Sequence, residues 1–157
     1  MCAIALCQMG LDKAPTAVGK IIELSKGTGN SKEKIRRTAA ECLGTLSRED
    51  PLFPDAVNNL CHMIQYDSDG QVLFPASSSK IGKVRLLACF SLVCLAKFAG
   101  NSILKTLEIA LNDSNKYVRG YAIYGLKSVA TPEATEILVR SLLTSQWCYL
   151  TDPKCPF

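Results

Sequence analysis

A chain of 157 residues, 48% of them hydrophobic, has the size and composition of one domain with its own core. Charged residues make up 20% of the chain and the formal net charge is +4, well short of the strongly basic balance of a dedicated nucleic-acid binder. The sequence has no signal-peptide pattern and no run of about 20 apolar residues that would cross a bilayer, so it predicts a soluble, cytoplasmic protein without membrane contact.

The eight cysteines lie mostly within apolar helical patterns, which is typical of buried thiols in a reducing compartment. Cys61 lies next to His62, which raises the question of a metal site. The sequence has no CxxC pair and only one histidine, so neither a metal site nor another cofactor is expected. Cys148 and Cys155 lie in a proline-containing tail. They form either a disulfide bond with each other or two unpaired, solvated thiols, and both alternatives stay open.

Pairs of apolar-periodic runs recur along the chain, and each pair predicts two helices. The first helices of three pairs begin alike, with a β-branched residue and an arginine followed by an alanine and a leucine at fixed offsets on one helix face. These positions are Ile35, Arg36, Ala39 and Leu43, then Val84, Arg85, Ala88 and Leu92, then Val118, Arg119, Ala122 and Leu126. The second helix of the last pair is predicted to begin at Thr131-Pro132, a capping hydroxyl before a proline.

The first residues fit the same template, because Cys2 and Leu6 align with Ala122 and Leu126. The sequence therefore predicts an all-α protein, an α-solenoid of about four two-helix repeats. The first repeat lacks its opening turn, which favours a homodimer or a longer stack through this open end. Val72-Leu73-Phe74, in an insertion at 67–80, is predicted to fold back onto the stack, with a partner contact as the alternative. The repeat domain is expected at 1–145, with repeats at about 1–26, 32–66, 80–112 and 114–145, and a C-terminal capping tail at 146–157.

The first helix of the last predicted pair contains Gly120 and Gly125, each of which costs about 1 kcal/mol relative to alanine in a helix. Both glycines are predicted to allow close contact with a neighbouring helix. Tyr117, Tyr121 and Tyr124 in the same helix are predicted to pack, with stacking on a ligand as the alternative.

The pattern Asp113-Ser114-Asn115-Lys116-Tyr117-Val118-Arg119, followed by Ala122, Leu126 and Thr131-Pro132-Glu133-Ala134, resembles a HEAT repeat. It is most similar to the short HEAT-like repeats of phycobilisome-associated bilin lyases. The resemblance extends to Ser145 and departs from the type in its longer connections and at Val93 and Lys127, where glycine is common. It implies an α-solenoid whose commonest role is protein binding, but its motif residues build the fold and identify no substrate.

Basic residues cluster where the first helices begin, and helix N-termini add partial positive charge there. The resemblance implies that the recurring arginines pair with acids in the turns between repeats, for which Asp113 and Asp50 are the candidates. The remaining cations form a predicted basic edge able to bind phosphate or an acidic protein, with simple solvation as the alternative. Its candidate partner-binding residues are Lys34, Arg37, Lys83 and Lys116.

The resemblance also implies that the second helices form a concave face. Charges of both signs mix there with amides, which suits a folded protein better than a polynucleotide, and an ordinary solvated surface is the alternative. The candidate partner-binding residues on this face are Asn58, His62, Lys105, Glu108 and Arg140, and further exposed positions are Lys20, Glu23, Asn59 and Glu136.

The leading hypothesis is a non-catalytic protein–protein interaction scaffold or adaptor. A bilin lyase or phycobilisome-handling accessory protein is the first alternative, implied by the repeat subtype, and a nucleic-acid-binding HEAT-like protein is the second. The sole histidine, His62, is followed by Met63, which excludes the His-Glu pairs of HEAT-like deoxyhypusine hydroxylases, and no GxSxG motif occurs. No catalytic residue or nucleic-acid partner is expected, and no enzymatic activity other than the lyase-type accessory activity that the first alternative leaves open.

Overall fold

A computed structural model describes residues 15–26, 33–66 and 83–144. Within these segments the chain is helical and contains no β-strand, so the prediction of an all-α protein is confirmed. The helices are α1 (Pro15–Ser25), α2 (Glu33–Leu43), α3 (Phe53–Tyr66), α4 (Lys83–Ala99), α5 (Leu104–Ala110), α6 (Lys116–Val129) and α7 (Pro132–Thr144), with a 3₁₀ turn at Gly100–Ile103.

Several predictions fall outside the described residues. They concern the opening helix of the first repeat, the 67–80 insertion with Val72-Leu73-Phe74, the capping tail at 146–157, and the Cys148 and Cys155 thiols.

Local capping explains where the last two helices begin. Asn115 precedes α6 with an extended backbone, and its Oδ1 accepts a hydrogen bond from the Tyr117 backbone N–H at 2.9 Å. Thr131 precedes α7, and its Oγ1 accepts a bond from the Ala134 N–H at 3.3 Å. The predicted helix start at Thr131-Pro132 is therefore confirmed.

The helices contact one another in two series, which we call the even layer (α2, α4 and α6) and the odd layer (α1, α3, α5 and α7). In the even layer, α4 packs against α2 and against α6. In the odd layer, α1 contacts α3, α3 contacts α5, and α5 contacts α7. The layers interlock because α2 packs on α1, α4 on α3, and α6 on α5. Each even helix from α2 onward thus lies on the odd helix that precedes it in the chain.

The repeated alanines and leucines share one interior. Ala39, Ala88 and Ala122 are all buried in the even layer, as are the leucines four residues after each of them, Leu43, Leu92 and Leu126. The first repeated position behaves less uniformly: Val84 and Val118 are fully buried, but Ile35 is 44% exposed. Ile35 instead lines an apolar groove of about 290 Å³ with Ile21 and Leu24 of α1.

Two glycines allow close helix packing, and one expected to do so does not. A Cβ atom at Gly125 would lie 3.0 Å from both Leu107 methyl carbons, so the predicted close contact is confirmed there. A Cβ at Gly120 would meet nothing within 4 Å, so the same prediction is wrong for Gly120. Gly44, at the end of α2, had not been singled out, yet a Cβ there would lie 2.5 Å from the Cβ of Ser91 in α4.

Replacing Gly120 with alanine is expected to raise the free energy of unfolding by about 1 kcal/mol, because alanine is the better helix former and the added methyl meets no neighbour. Gly44→Ala is the matched control and should destabilise the fold, because its methyl would collide with Ser91. Urea denaturation of both variants measures the difference. A Gly120→Ala variant less stable than the parent would contradict the open environment of this position.

One stretch of helix among the described residues, Lys83–Ala110, is long and apolar enough to cross a membrane by length and composition alone. The core helices of soluble proteins pass the same test. Lys97 is the only charged residue between Arg85 and Lys105, so the expectation that the sequence holds no such stretch is wrong. The stretch is interrupted at Gly100, whose positive φ of 57° favours glycine.

Candidate partner-binding surfaces

Arg85, the recurring arginine of α4, forms an ion pair that stabilises the fold. Arg85 Nε lies 2.7 Å from Asp113 Oδ2, and its Nη2 lies 3.2 Å from Oδ1, so the two side chains form a bidentate pair. Both side chains are largely buried. Asp113 lies in the turn before α6, so the pair fixes that turn against α4. The predicted pairing of a recurring arginine with Asp113 is confirmed for Arg85.

The other two recurring arginines are not free surface cations either. Arg119 Nη1 donates to the backbone carbonyl oxygens of Asp113 and Ser114, at 2.8 and 3.3 Å. Arg36 is buried. Asp50, the second acid considered as a partner, lies between α2 and α3, inside a predicted repeat, and accepts a bond from the Leu52 backbone N–H at 2.8 Å. The buried Asp50 Oδ2 has no hydrogen-bond partner among the described residues, so the pairing of a recurring arginine with Asp50 is not observed there.

The predicted basic edge lies in the first turns of the even helices. Lys34 is exposed and lines the groove beside α1, and Arg37 lies 4.0 Å from Glu33 of its own helix. Lys83 is the first residue of α4, and the ammonium of Lys116, the first residue of α6, lies 5.2 Å from the centre of the Tyr117 ring. The Arg85–Asp113 pair brings these two helix starts together, so both lysines belong to one end of the even layer.

The candidate residues of the odd layer are mostly accessible. Asn58, His62, Lys105 and Arg140 are exposed, and Glu108 is half-buried. The His62 ring packs beside Tyr66, with ring centres 4.8 Å apart. Asn59 was expected to be exposed, and this is wrong: its side chain is buried and donates a hydrogen bond to Ser25 Oγ of α1.

Side-chain hydrogen bonds link successive helices of the odd layer. Asn59 and Ser25 join α3 to α1, and Gln65 Nε2 donates to Thr106 Oγ1 at 2.9 Å, which joins α3 to α5. Arg140 of α7 donates to Glu108 of α5 at 3.3 Å, and also to Glu136 of its own helix at 2.8 Å. Ser25, Gln65 and Thr106 were not singled out from the sequence. A polar residue at an apolar helix position, such as Thr106, is the signal that points to such a link.

The described thiols are not equivalent. Burial raises the pKa of Cys89 to about 12, with further contributions from the nearby Asp113 carboxylate and Cys61, and the thiol donates to the Val118 carbonyl oxygen at 3.7 Å. Burial also raises the pKa of Cys61, although a hydrogen bond with Thr106 partly opposes the shift. Both thiols therefore stay protonated at neutral pH; Cys89 behaves as a small buried side chain, and Cys61 is half-buried.

Cys94 is exposed, whereas Cys42 and Cys89 are buried, so we expect a neutral-pH thiol reagent such as iodoacetamide to label Cys94 before Cys42 and Cys89. The two buried thiols should react at least about tenfold more slowly, because the fold must open before the reagent reaches them. Peptide mapping by mass spectrometry over a time course measures each rate, and labelling in denaturant is the control. Equal rates for Cys89 and Cys94 in the native protein would contradict the packing of α4.

No cluster of three or more His, Cys, Asp or Glu side chains suited to a metal ion occurs within the described residues. No protein-family model matches the chain, and no curated protein matches it. The likeness to HEAT repeats therefore stays a prediction from the sequence.

Proposed function

We propose that the described helices belong to an α-solenoid of HEAT-like repeats and that the protein is a non-catalytic scaffold that binds another protein through its odd layer. Sequential contacts within each layer are what stacked two-helix repeats would produce. The shared burial of Ala39, Ala88 and Ala122 supports the same repeat register. In this arrangement the odd helices are the second helices of the repeats and form the concave face.

The observation that supports a binding role is the continuous, accessible and chemically mixed surface of the odd layer. Buried and partly buried side-chain bonds link α1, α3 and α5, so the exposed groups on these helices keep fixed relative positions. Helices in contact lie about 8–10 Å apart, so four of them extend over about 25–30 Å. That span can accommodate a standard interface of about 800 Å² per partner. Lys105, Glu108 and Arg140 supply both signs of charge, and His62 and Tyr66 supply an aromatic pair.

Affinity purification from the native cell, followed by mass spectrometry, tests this proposal. We expect the parent chain to retain a defined set of proteins that a His62→Ala/Lys105→Glu variant loses. Arg48→Glu, an exposed charge reversal in the turn between α2 and α3, is the control and should retain them. Identical retention by all three chains, or recovery of nucleic acid with steep salt dependence, would overturn the odd-layer proposal. Co-elution of phycobiliproteins would favour the bilin-lyase alternative.

The basic edge is a second candidate contact, because its lysines lie at helix starts where the recurring arginines are already engaged in the fold. A Lys34→Glu/Lys83→Glu/Lys116→Glu variant should weaken partner retention if this edge binds. Unchanged retention would assign these lysines to solvation.

A further inference from the structure

Positive charge is segregated in two helices of the even layer, α4 and α6. Helices α4 and α6 together contain six basic residues and no Asp, Glu, Asn, Gln or His, so the 14 acidic residues of the chain all lie elsewhere. Arg85 and Arg119 are engaged in the turn before α6. The cations left at the surface of these helices are four lysines, Lys83, Lys97, Lys116 and Lys127. None of the four forms an ion pair within the described residues.

Exposed aromatic rings lie between these lysines. Phe90 and Phe98 of α4 are 44% and 53% exposed, and Tyr117 and Tyr124 of α6 are 62% and 67% exposed. Tyr121 packs edge-on against Phe90 with ring centres 5.4 Å apart, which joins the rings of the two helices. Tyr117 and Tyr124 lie on the same helix face as Tyr121, at spacings of four and three residues. We call these five aromatic residues the outer patch.

We propose that the outer patch is a peripheral docking surface for an anionic lipid bilayer, distinct from the odd layer. Phe and Tyr rings are favoured at the boundary between headgroups and acyl chains, because one end of a tyrosine is apolar and the other is polar. Lysines at both ends of α4 and α6 extend their stems along such a surface and place their ammonium groups among anionic headgroups. The docking is interfacial, because α4 packs against α2, α3 and α6 and remains in the fold.

The composition of these helices favours a lipid surface over other occupants. A second copy of the chain would bring lysines together with no acid from either helix to neutralise them. A folded protein partner usually makes about one hydrogen bond per 100–200 Å², and α4 and α6 offer no amide or carboxylate side chain for it.

Co-flotation of the full chain with vesicles tests the proposal. Vesicles of phosphatidylcholine with about 30% phosphatidylserine should bind at least about tenfold more protein than pure phosphatidylcholine vesicles, and salt of about 0.5 M should reverse the gain. Phe90→Ser/Tyr124→Ser should reduce binding about tenfold through lost apolar contact, and Lys97→Glu/Lys127→Glu should reduce it similarly through charge.

The matched control makes the same kinds of change at exposed positions outside both proposed surfaces, Lys26→Glu/Leu143→Ser, and should bind as the parent does. Circular dichroism and thermal unfolding verify that each variant is folded, and a variant that fails is replaced by its single substitutions. Equal binding to both vesicle types, no binding, an equal loss in the control, or displacement from vesicles by a uridine oligonucleotide would overturn the proposal. None of these outcomes bears on protein binding by the odd layer.

Discussion

Replacing Arg85 with methionine is expected to lower the free energy of unfolding by about 3–5 kcal/mol, because it leaves the largely buried Asp113 carboxylate without its bidentate partner. Asp113 also receives the Asn115 backbone N–H at 2.8 Å, so the turn that starts α6 depends on the same carboxylate. Urea denaturation monitored by circular dichroism measures the loss.

A double-mutant cycle separates the pair from the rest of the turn. Asp113→Asn alone should also destabilise the fold, but Arg85→Met/Asp113→Asn should cost less than the sum of the single changes, because no charge is then left unpaired. Arg140→Met is the matched control: its pair with Glu108 is exposed, and we expect a loss of no more than about 1 kcal/mol. Equal losses for Arg85→Met and Arg140→Met would contradict the buried pair.

Leu92→Ala is expected to destabilise the protein by about 2–5 kcal/mol, because the side chain is fully buried in the middle of α4 and its removal leaves a cavity. If the repeat register is correct, Leu43→Ala and Leu126→Ala occupy equivalent positions and should cost similar amounts. Leu143→Ala, at an exposed position on α7, is the control and should change stability by less than about 0.5 kcal/mol.

Substitutions at the first repeated position test the one place where burial differs between the repeats. Val84→Ala should cost more than Ile35→Ala, although Ile35 loses the larger side chain, because Val84 is fully buried and Ile35 is not. Chemical denaturation of all the variants under one set of conditions supplies the comparison. Equal costs at the two positions would show that Ile35 is more deeply packed than the structure indicates.

Local signals explain what could be predicted from the sequence. Thr131-Pro132 marks a helix start by capping chemistry alone, and the alanine and leucine offsets define an apolar face by period alone. The Arg85–Asp113 pair was anticipated from the resemblance to HEAT repeats, which implies that the recurring arginine pairs with an acid in a turn. These features depend on residues close together in the chain, or on a repeat that places distant residues in equivalent positions.

The errors involve contacts between distant parts of the chain. Asn59 was placed on the exposed face beside Asn58, but its partner, Ser25, lies 34 residues earlier and no local pattern connects them. Gly120 and Gly125 look alike in the sequence, and the positions of Leu107 and Val93 distinguish them. The outer patch is a further case, because its tyrosines were expected to pack, yet Tyr117 and Tyr124 are mostly exposed.

The side-chain hydrogen bonds between helices of the odd layer become progressively more exposed to solvent towards the end of the described chain. The Ser25–Asn59 bond is buried, the Gln65–Thr106 bond is partly buried, and the Arg140–Glu108 bond is exposed. Hydrogen bonds to solvent-exposed charges contribute little, and Ala134 is the only fully buried residue of α7. We therefore expect α7 to open first, with faster amide deuterium uptake than α3 in native-state exchange, and uptake that rises with salt as the Arg140–Glu108 attraction is screened.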